Sequence, residues 1–245
     1  MRINVFETSE LASSFAGEIL AKHVKEKPNL VMGLSTGSTP LQLYRELVNY
    51  YTDGLDFSEV ITFNLDEYVG LNASHNQSYR YFMDHNLFNL INIKKENTYV
   101  LNGIATDLEQ ECRDFENKID QAGGIDVQVL GVGPNGHIGF NEPGHYVHFG
   151  THVTELSEAT ISANQRFFGD RDLVPTQALT MGVGSIFKAK HIVVLAFGLN
   201  KSRVLASLAG DYIDPMIPVT MLKLHSNVDL ILDQAAAKYL MEYKK

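Results

Sequence analysis

Short apolar runs rich in β-branched residues alternate along this chain with longer amphipathic segments, and this alternation is the feature that most restricts its fold. Brief, mostly apolar runs are typical of strands that are buried on both faces of a parallel sheet. The longer segments between them suit crossover helices. The pattern therefore predicts an α/β fold, a three-layer α/β/α sandwich with a mainly parallel sheet. The predicted strands are Ile3–Phe6, Leu30–Leu34, Val60–Asn64, Val127–Val132, Ile192–Phe197 and Val228–Leu232.

Two of the predicted helices carry recognisable start signals. Pro40 suits the first position of a helix, and the segment from Thr106 to Glu109 fits a capping box. No Pro/Gly/Ser-rich linker or charge block divides the sequence, so residues 1–245 are predicted to form a single domain. The predicted helices are Ser9–Lys25, Pro40–Tyr51, Gln77–Phe88, Leu108–Gln121, Gln177–Phe187, Lys201–Ala209 and a terminal helix from Gln234.

Composition excludes several classes of function. The formal net charge is −9, with 20 Lys and Arg against 29 Asp and Glu, so the field of the protein repels nucleic acids and anionic membranes. A single cysteine, Cys112, cannot form an intramolecular disulfide. The first twenty residues lack the features of a signal peptide, and no apolar stretch reaches membrane-spanning length. We therefore expect a cytoplasmic protein that binds neither nucleic acid nor membrane.

The segment Gly33-Leu-Ser-Thr-Gly-Ser-Thr-Pro40 leaves a predicted strand and enters a predicted helix. Small residues let the backbone wrap an anion, and free amides at a helix start donate to it. The segment therefore predicts a phosphate-binding loop made by Thr36, Gly37, Ser38 and Thr39. It is not a Walker A loop, since no Gly-Lys-Ser/Thr follows. The alternative is an ordinary capped turn, because Ser and Thr are also the preferred helix caps.

Two adjacent carboxylates, Asp66 and Glu67, follow the apolar strand Val60–Asn64. Carboxylates near a core are costly unless they are solvated, paired or used. Side chains of neighbouring residues on an extended chain diverge, so at most one of the two faces a given pocket. Either could be a general base. The alternative is a solvated loop in which one carboxylate caps the next element.

A glycine-rich loop follows the strand Val127–Val132. The glycines Gly131, Gly133 and Gly136 have the spacing of a dinucleotide fingerprint, but the prolines and glycines that follow disfavour the helix which that motif requires. The loop instead presents His137 and Glu142, a pair that a tight bend could bring together. A carboxylate beside an imidazole orients the ring for proton transfer near neutral pH. The alternative for His137 is a purely structural role.

Two cations, Arg166 and Lys201, are candidates for binding an anionic ligand. Lys201 begins a predicted helix directly after a strand, on the same edge as the phosphate-binding loop. Each cation taken alone could equally be a solvated surface charge. His145, His148 and His152 cluster in sequence, but no cysteine or zinc-binding helix motif accompanies them, so no metal site is predicted.

Taken together, the segments GLSTGSTP, FNLDEYVGL, LGVGPNGHIGFNEPG, ANQRFF and QALTMGVGSI resemble the glucosamine-6-phosphate deaminase family, also called glucosamine-6-phosphate isomerases. The resemblance covers nearly the whole chain, and the combination of motifs is specific. It implies an enzyme that uses no cofactor and converts an amino-sugar phosphate and water into fructose-6-phosphate and ammonia.

The resemblance also implies roles for individual residues. Asp66 matches the proton-shuttling carboxylate, His137 the histidine that assists ring opening, and Glu142 the carboxylate that supports it. Asn135 stands where some members have Asp and others Asn. The substrate phosphate would be bound by Thr36, Gly37, Ser38, Thr39, Arg166 and Lys201, and a mobile lid would fall near residues 156–175.

The chain departs from many relatives after the NEPG motif, where Phe149-Gly150 replaces a Ser-Arg pair. The resemblance therefore does not extend to allosteric activation by N-acetylglucosamine-6-phosphate, and we expect a monomer or small homo-oligomer. Three alternatives differ in function: a galactosamine-6-phosphate deaminase, a hydrolase like 6-phosphogluconolactonase, and a non-enzymatic sugar-phosphate sensor. The sensor would require a DNA-binding module, for which the sequence shows no basic helix-turn-helix segment.

Overall fold

Seven strands form one sheet in which the described pairings are all parallel, as the alternating sequence pattern predicts. The computed structural model describes residues 1–170 and 173–243, and only the backbone of Ala159, Ala163, Arg166, Phe167 and Tyr243. The strands in chain order are β1 (Arg2–Phe6), β2 (Val31–Leu34), β3 (Ile61–Asn64), β4 (Asp66–Tyr68), β5 (Thr98–Tyr99), β6 (Val127–Gly131), β7 (His152–Glu155), β8 (Gln177–Thr180), β9 (His191–Ala196) and β10 (Val228–Asp233).

Eight α-helices connect and cover these strands in the described part of the chain. They are α1 (Ser9–Glu26), α2 (Leu41–Thr52), α3 (Tyr79–Asn86), α4 (Leu108–Gln121), α5 (Glu158–Phe168), α6 (Val183–Phe187), α7 (Leu199–Ala206) and α8 (Gln234–Tyr243). Within residues 1–170 and 173–243, no helix combines the length and apolar character needed to cross a bilayer.

The order of strands in the large sheet reverses at one place. The order is β1-β10-β9-β6-β2-β3-β5, so the chain builds outward from β2 through β3 to β5 and then returns to the other side of β2 with β6. Ligands of open α/β sheets bind beyond the carboxyl ends of the strands at such a reversal. The topology therefore predicts a ligand site at the loops that follow β2 and β6.

Helices cover both faces of the large sheet, which confirms the predicted α/β fold. Successive residues of a strand point to opposite faces. Val193 and Leu195 of β9 accordingly belong to the core under α1 and α2, whereas Ile192 and Val194 belong to the core that includes residues of α4, α7 and α8. These β9 residues are fully buried, as the apolar runs in the sequence suggested.

The predicted helix Gln177–Phe187 is wrong in its first half. Residues Gln177–Thr180 form β8, the central strand of a small antiparallel sheet ordered β4-β8-β7, and only Val183–Phe187 is helical. The physical reason is tertiary: β8 pairs with β4 and β7, strands close to β8 in space but not recognised in the sequence. The small sheet matters for function because β4 contains Asp66.

The predicted helix Leu108–Gln121 is confirmed, but the capping box predicted from Thr106 to Glu109 is wrong. The N-cap is Asp107 rather than Thr106, and its carboxylate accepts a hydrogen bond from the amide of Gln110 at 2.9 Å. A carboxylate at this position interacts favourably with the helix dipole as well as with the free amides. Pro40 is likewise the N-cap of α2, one residue before the position predicted for it.

A lysine organises the loop that packs beneath the glycine-rich segment after β6. The Lys223 ammonium donates to the carbonyl oxygens of Ser207, Gly210 and Tyr212, each at 2.8 Å. A little further along, the amide of Val219 donates to the carbonyl of Gly136 at 2.8 Å. Lys223 therefore supports, through the loop, the backbone next to His137.

We expect Lys223→Met to lower the free energy of unfolding by about 1–3 kcal/mol, because three carbonyl groups lose a charged donor. Urea denaturation followed by circular dichroism measures the change. Lys22→Met is the matched control, since Lys22 is 75% exposed and 3.8 Å from Glu26; it should change stability by less than about 0.5 kcal/mol. Equal effects of the two substitutions would contradict the assigned role of Lys223.

Candidate active site

Four loops that contain predicted site residues leave four adjacent strands at the same edge of the sheet. The strands are neighbours in the order β9, β6, β2 and β3, and all run in parallel. Neighbouring strands lie about 4.8 Å apart, so the four strand ends span roughly 15 Å. The predicted convergence of these loops at one edge is confirmed, and the edge coincides with the reversal of strand order.

The structure separates the tasks of the two adjacent carboxylates. Glu67 accepts hydrogen bonds from the backbone amides of Tyr68 (2.9 Å), Tyr79 (2.9 Å) and Arg80 (3.0 Å), and so caps the start of α3. No donor to the Asp66 carboxylate occurs among the described residues. The capping role left open by the sequence thus falls to Glu67, which leaves Asp66 available for a ligand.

Burial strongly changes the acidity of both carboxylates. Desolvation, with a further contribution from the charge of Glu67, raises the pKa of Asp66 to about 8. Desolvation also raises the pKa of Glu67 to about 7, although its three backbone hydrogen bonds act in the opposite direction. A carboxylate whose pKa lies near neutrality is well matched to proton transfer at that pH.

Buried tyrosines surround this acidic pair. Burial, with smaller contributions that include the charge of Asp66, raises the pKa of Tyr44 and Tyr79 well above the usual value and that of Tyr68 to about 12. The rings of Tyr68 and Tyr79 lie 4.8 Å apart. The three phenols are therefore neutral near pH 7.

The loop after β6 folds back on itself and presents His137. The Gly133 amide donates to the carbonyl of His137 at 2.9 Å, and the His137 amide donates to Oδ1 of Asn135 at 3.2 Å. A Cβ atom on Gly133 would lie 2.3 Å from Cε1 and Nε2 of His137. Gly136 has φ of +90°, a conformation that favours glycine. Gly133 therefore makes room for the imidazole, and Gly136 allows the bend of the loop that precedes it.

Glu142 lies beside the imidazole, as predicted. Its Oε2 is 3.4 Å from Nδ1 of His137 and accepts a hydrogen bond from Nδ2 of Asn135 at 2.7 Å. Burial alone would raise the pKa of Glu142, but the nearby His137, together with hydrogen bonds from Thr160 and Asn135, lowers it to about 2. Glu142 is therefore a permanent anion next to His137.

The loops of Asp66 and His137 meet at Thr180 of β8. Thr180 pairs with Asp66 in the small sheet, and its Oγ1 accepts a hydrogen bond from the Phe140 amide at 3.1 Å. A Cβ atom on Gly139 would lie 3.6 Å from Oδ2 of Asp66. The structure thus places the candidate base close to the histidine loop. Sequence analysis missed Thr180, because it was assigned to a helix.

The predicted phosphate-binding loop connects β2 to α2. Gly37 has φ of +90°, and Tyr44 of α2 donates from its hydroxyl to the carbonyl of Ser35, which fixes the start of the loop. Pro40, the N-cap of α2, provides no side-chain hydrogen bond to the free amides of the first turn. Gly37 and Ser38 line a cavity of about 170 Å³ together with Tyr68, Tyr79 and Asn164. This geometry suits a bound anion, with Thr36 and Thr39 on the same turn.

The two candidate cations differ in how far the structure describes them. Lys201 lies in the first turn of α7, directly after β9, and so two strand spacings, about 10 Å, from the loop after β2. Arg166 belongs to α5, but its side chain lies outside the described residues. Asn164 of helix α5 lines the same cavity as Gly37 and Ser38, and its Nδ2 donates to the Tyr68 hydroxyl at 2.8 Å.

The histidines after the NEPG motif form aromatic contacts. The rings of His148 and His152 stack at 4.0 Å, and Nδ1 of His152 lies 3.0 Å from the carbonyl oxygen of Gly150. Among the residues that the structure describes, no group of three or more His, Cys, Asp or Glu side chains is arranged to hold a metal ion.

Comparison with known proteins identifies the family. The family described as Glucosamine-6-phosphate isomerases/6-phosphogluconolactonase matches residues 7–231. The chain belongs to this family. It is 53% identical over 241 residues to the glucosamine-6-phosphate deaminase of Thermoanaerobacter sp. (strain X514), covering 98% of this chain and 95% of that one. It is 52% identical to the deaminase of Clostridium perfringens (strain 13 / Type A), covering 98% and 100%.

Solved structures agree with the assignment. A monomeric glucosamine-6-phosphate deaminase superposes with a TM-score of 0.94 at 42% identity, covering 98% of this chain and 100% of that one. The 6-phosphogluconolactonase of Trypanosoma cruzi superposes with a TM-score of 0.79 at 20% identity, covering 98% and 96%, a likeness that concerns the fold. The resemblance drawn from the sequence motifs is confirmed: the chain is an enzyme of this family.

We expect Gly133→Ala to lower the turnover of the enzyme by about 100-fold, because the added methyl group displaces the His137 ring. The sheet should stay intact. Circular dichroism detects any loss of fold, and a kinetic assay measures the loss of turnover. Gly131→Ala is the matched control, since a Cβ atom there meets nothing within 4 Å. A comparable loss in both variants would mean that displacement of the ring is not the cause.

Proposed function

We propose that this chain is a glucosamine-6-phosphate deaminase, which converts glucosamine-6-phosphate and water into fructose-6-phosphate and ammonia. The observation that carries the proposal is the pairing of Asp66, a buried carboxylate of raised pKa, with a loop that holds His137 against the anionic Glu142. The identity of about 50% with full-length deaminases supports the same reaction.

Ring opening is the step assigned to His137. The imidazole accepts the proton of the anomeric hydroxyl and returns a proton to the ring oxygen, while the bond from C1 to that oxygen breaks and the C1 carbonyl forms. Glu142, an anion next to Nδ1, stabilises the protonated imidazole between the two transfers. Asn135 holds Glu142 in this orientation through its amide.

Isomerisation is the step assigned to Asp66. The carboxylate removes the proton from C2 while O1 of the C1 aldehyde takes up a proton from water, which gives an enolamine. Asp66 then returns its proton to C1, which leaves a hydroxyl group on C1 and an iminium at C2. Water adds to the iminium, and ammonia leaves as the ketone forms. One base suffices for both transfers, which agrees with the capping role that already occupies Glu67.

The phosphate group anchors the far end of the sugar. We assign it to Thr36, Gly37, Ser38 and Thr39, with Lys201 and Arg166 as cations. Contacts remote from the reacting carbons supply binding energy that positions C1 and C2 beneath the proton-transfer groups. Local cations are needed for this purpose, because the chain as a whole carries a net charge of −9.

The first test is product formation without an added cofactor. Purified protein should release ammonia and fructose-6-phosphate from glucosamine-6-phosphate, and in deuterated water the C1 position of the product should acquire deuterium. Galactosamine-6-phosphate and 6-phosphogluconolactone, assayed in parallel, test the alternative substrates. Hydrolysis of the lactone without ammonia release from either amino sugar would contradict the proposal.

Asp66→Asn should lower kcat by a factor on the order of 10² to 10⁴, because the amide cannot accept the C2 proton. The coupled ammonia assay measures this loss. The exposed carboxyl group of Asp53 provides a control, and Asp53→Asn should retain full activity. Undiminished turnover by Asp66→Asn would remove this residue from the mechanism.

The pH profile provides an independent test of the base. Because Asp66 must be ionised to act and its pKa is about 8, kcat/KM should rise with pH up to about 8 and then level off. The charge of Glu67 contributes to the raised pKa, so Glu67→Gln should move this limb to lower pH. Titration of the substrate affects the wild type and Glu67→Gln equally, so it cancels when their pH profiles are compared. If kcat/KM rose over the same pH range in both proteins, Asp66 would not be the base.

A further inference from the structure

The carboxylate of Glu142 has two faces with different partners. Its Oε2 faces the histidine loop, where it meets Asn135 and His137. Its Oε1 faces the start of α5, where it accepts hydrogen bonds from the hydroxyl groups of Ser157 (3.2 Å) and Thr160. One side chain therefore joins the group that performs ring opening to the helix that covers the site.

The start of α5 is built around these two hydroxyl groups. Ser157 is the N-cap and accepts a hydrogen bond from the Thr160 amide at 3.2 Å, and its hydroxyl also lies 3.0 Å from Oγ1 of Thr160. Thr160 is 7% exposed, so its hydroxyl is not a solvated surface group. Helix N-termini favour a nearby anion, and Glu142 provides it.

These contacts restrict the orientation of Glu142. A carboxylate held on one oxygen alone can turn about its last torsion angle, whereas donors on both oxygens fix its plane. The distance of 3.4 Å from Oε2 to Nδ1 of His137 therefore depends on the donors at Oε1. The hydroxyl groups of α5 act on the imidazole through Glu142 without touching the substrate.

We propose that Thr160, assisted by Ser157, is a positioning residue that orients Glu142 toward His137, so that ring opening depends on the seating of helix α5. The proposal rests on the proposed deaminase function. Helix α5 also carries Arg166, the cation assigned to the substrate phosphate, and contacts Tyr68 through Asn164. Binding of the phosphate at one end of the helix would thus support proton transfer at the other.

The test separates ring opening from isomerisation. The forward reaction starts from a cyclic amino sugar and needs both steps. Exchange of the C1 hydrogens of fructose-6-phosphate with deuterated water, in the presence of ammonium, needs the iminium and the Asp66 step but not the opening of a pyranose. Both rates are measured for the wild type, Thr160→Val and Thr160→Ser, with Thr106→Val as a matched control at an exposed threonine.

Thr160→Val should lower the forward kcat roughly 10-fold or more while KM and the C1 exchange rate change by less than about threefold. Thr160→Ser, which keeps the hydroxyl group, should restore most of the forward rate, and Thr106→Val should behave as the wild type. Ser157→Ala should change the forward rate in the same direction as Thr160→Val, which covers the case in which the valine variant folds poorly.

Three results would overturn the proposal: an unchanged forward rate in Thr160→Val, an equal fall of the forward and exchange rates, or no recovery in Thr160→Ser. Failure of the deaminase function itself gives a different result, since the wild type would then release no ammonia. The two failures are therefore distinguishable in the same set of assays.

Discussion

The parallel sheet is the constraint on which the rest of the structure depends. Because β9, β6, β2 and β3 run in the same direction, each delivers its following loop to one edge, and the reversal of strand order between β2 and β6 opens a crevice there. Apolar residues on both faces fix the register, so the loops cannot shift relative to one another without exposing the core. The chemistry of the site is therefore positioned by hydrophobic packing some distance from it.

Elements that show a local sequence signature were predicted, whereas an element that depends on partners distant in the sequence was not. Six strands of the large sheet were predicted because short apolar runs leave a local signature, although β1, at the edge of the sheet, is only partly buried. The strand at Gln177–Thr180 was missed because its partners are non-local, and the segment Ala-Leu-Thr-Met-Gly-Val reads equally well as part of a helix. Correct assignment would have required knowing that β4 and β7 lie on either side of it.

The same limit applies to individual side chains. The sequence identifies Asp66 and Glu67 as candidates but cannot choose between them, because the choice depends on where the start of α3 lies. Thr160 and Ser157 carry no signal beyond that of an N-terminal helix cap. Gly133, by contrast, could have been singled out locally, since a glycine four residues before a histidine in a tight loop leaves room for the ring.

Charge explains why one protein can hold two carboxylates in opposite states within the same site. Asp66 is buried beside Glu67 with no donor from the described residues, so its ionised form is disfavoured and its pKa rises. Glu142 is also buried, yet donors on both oxygens keep it ionised. In the proposed mechanism, the first arrangement gives a base that accepts and returns a proton, whereas the second gives a fixed charge that orients an imidazole. The hydroxyl donors to Glu142 come from α5. In the mechanism proposed for this enzyme, the orientation of that fixed charge, and with it proton transfer by His137, therefore depends on the position of the helix.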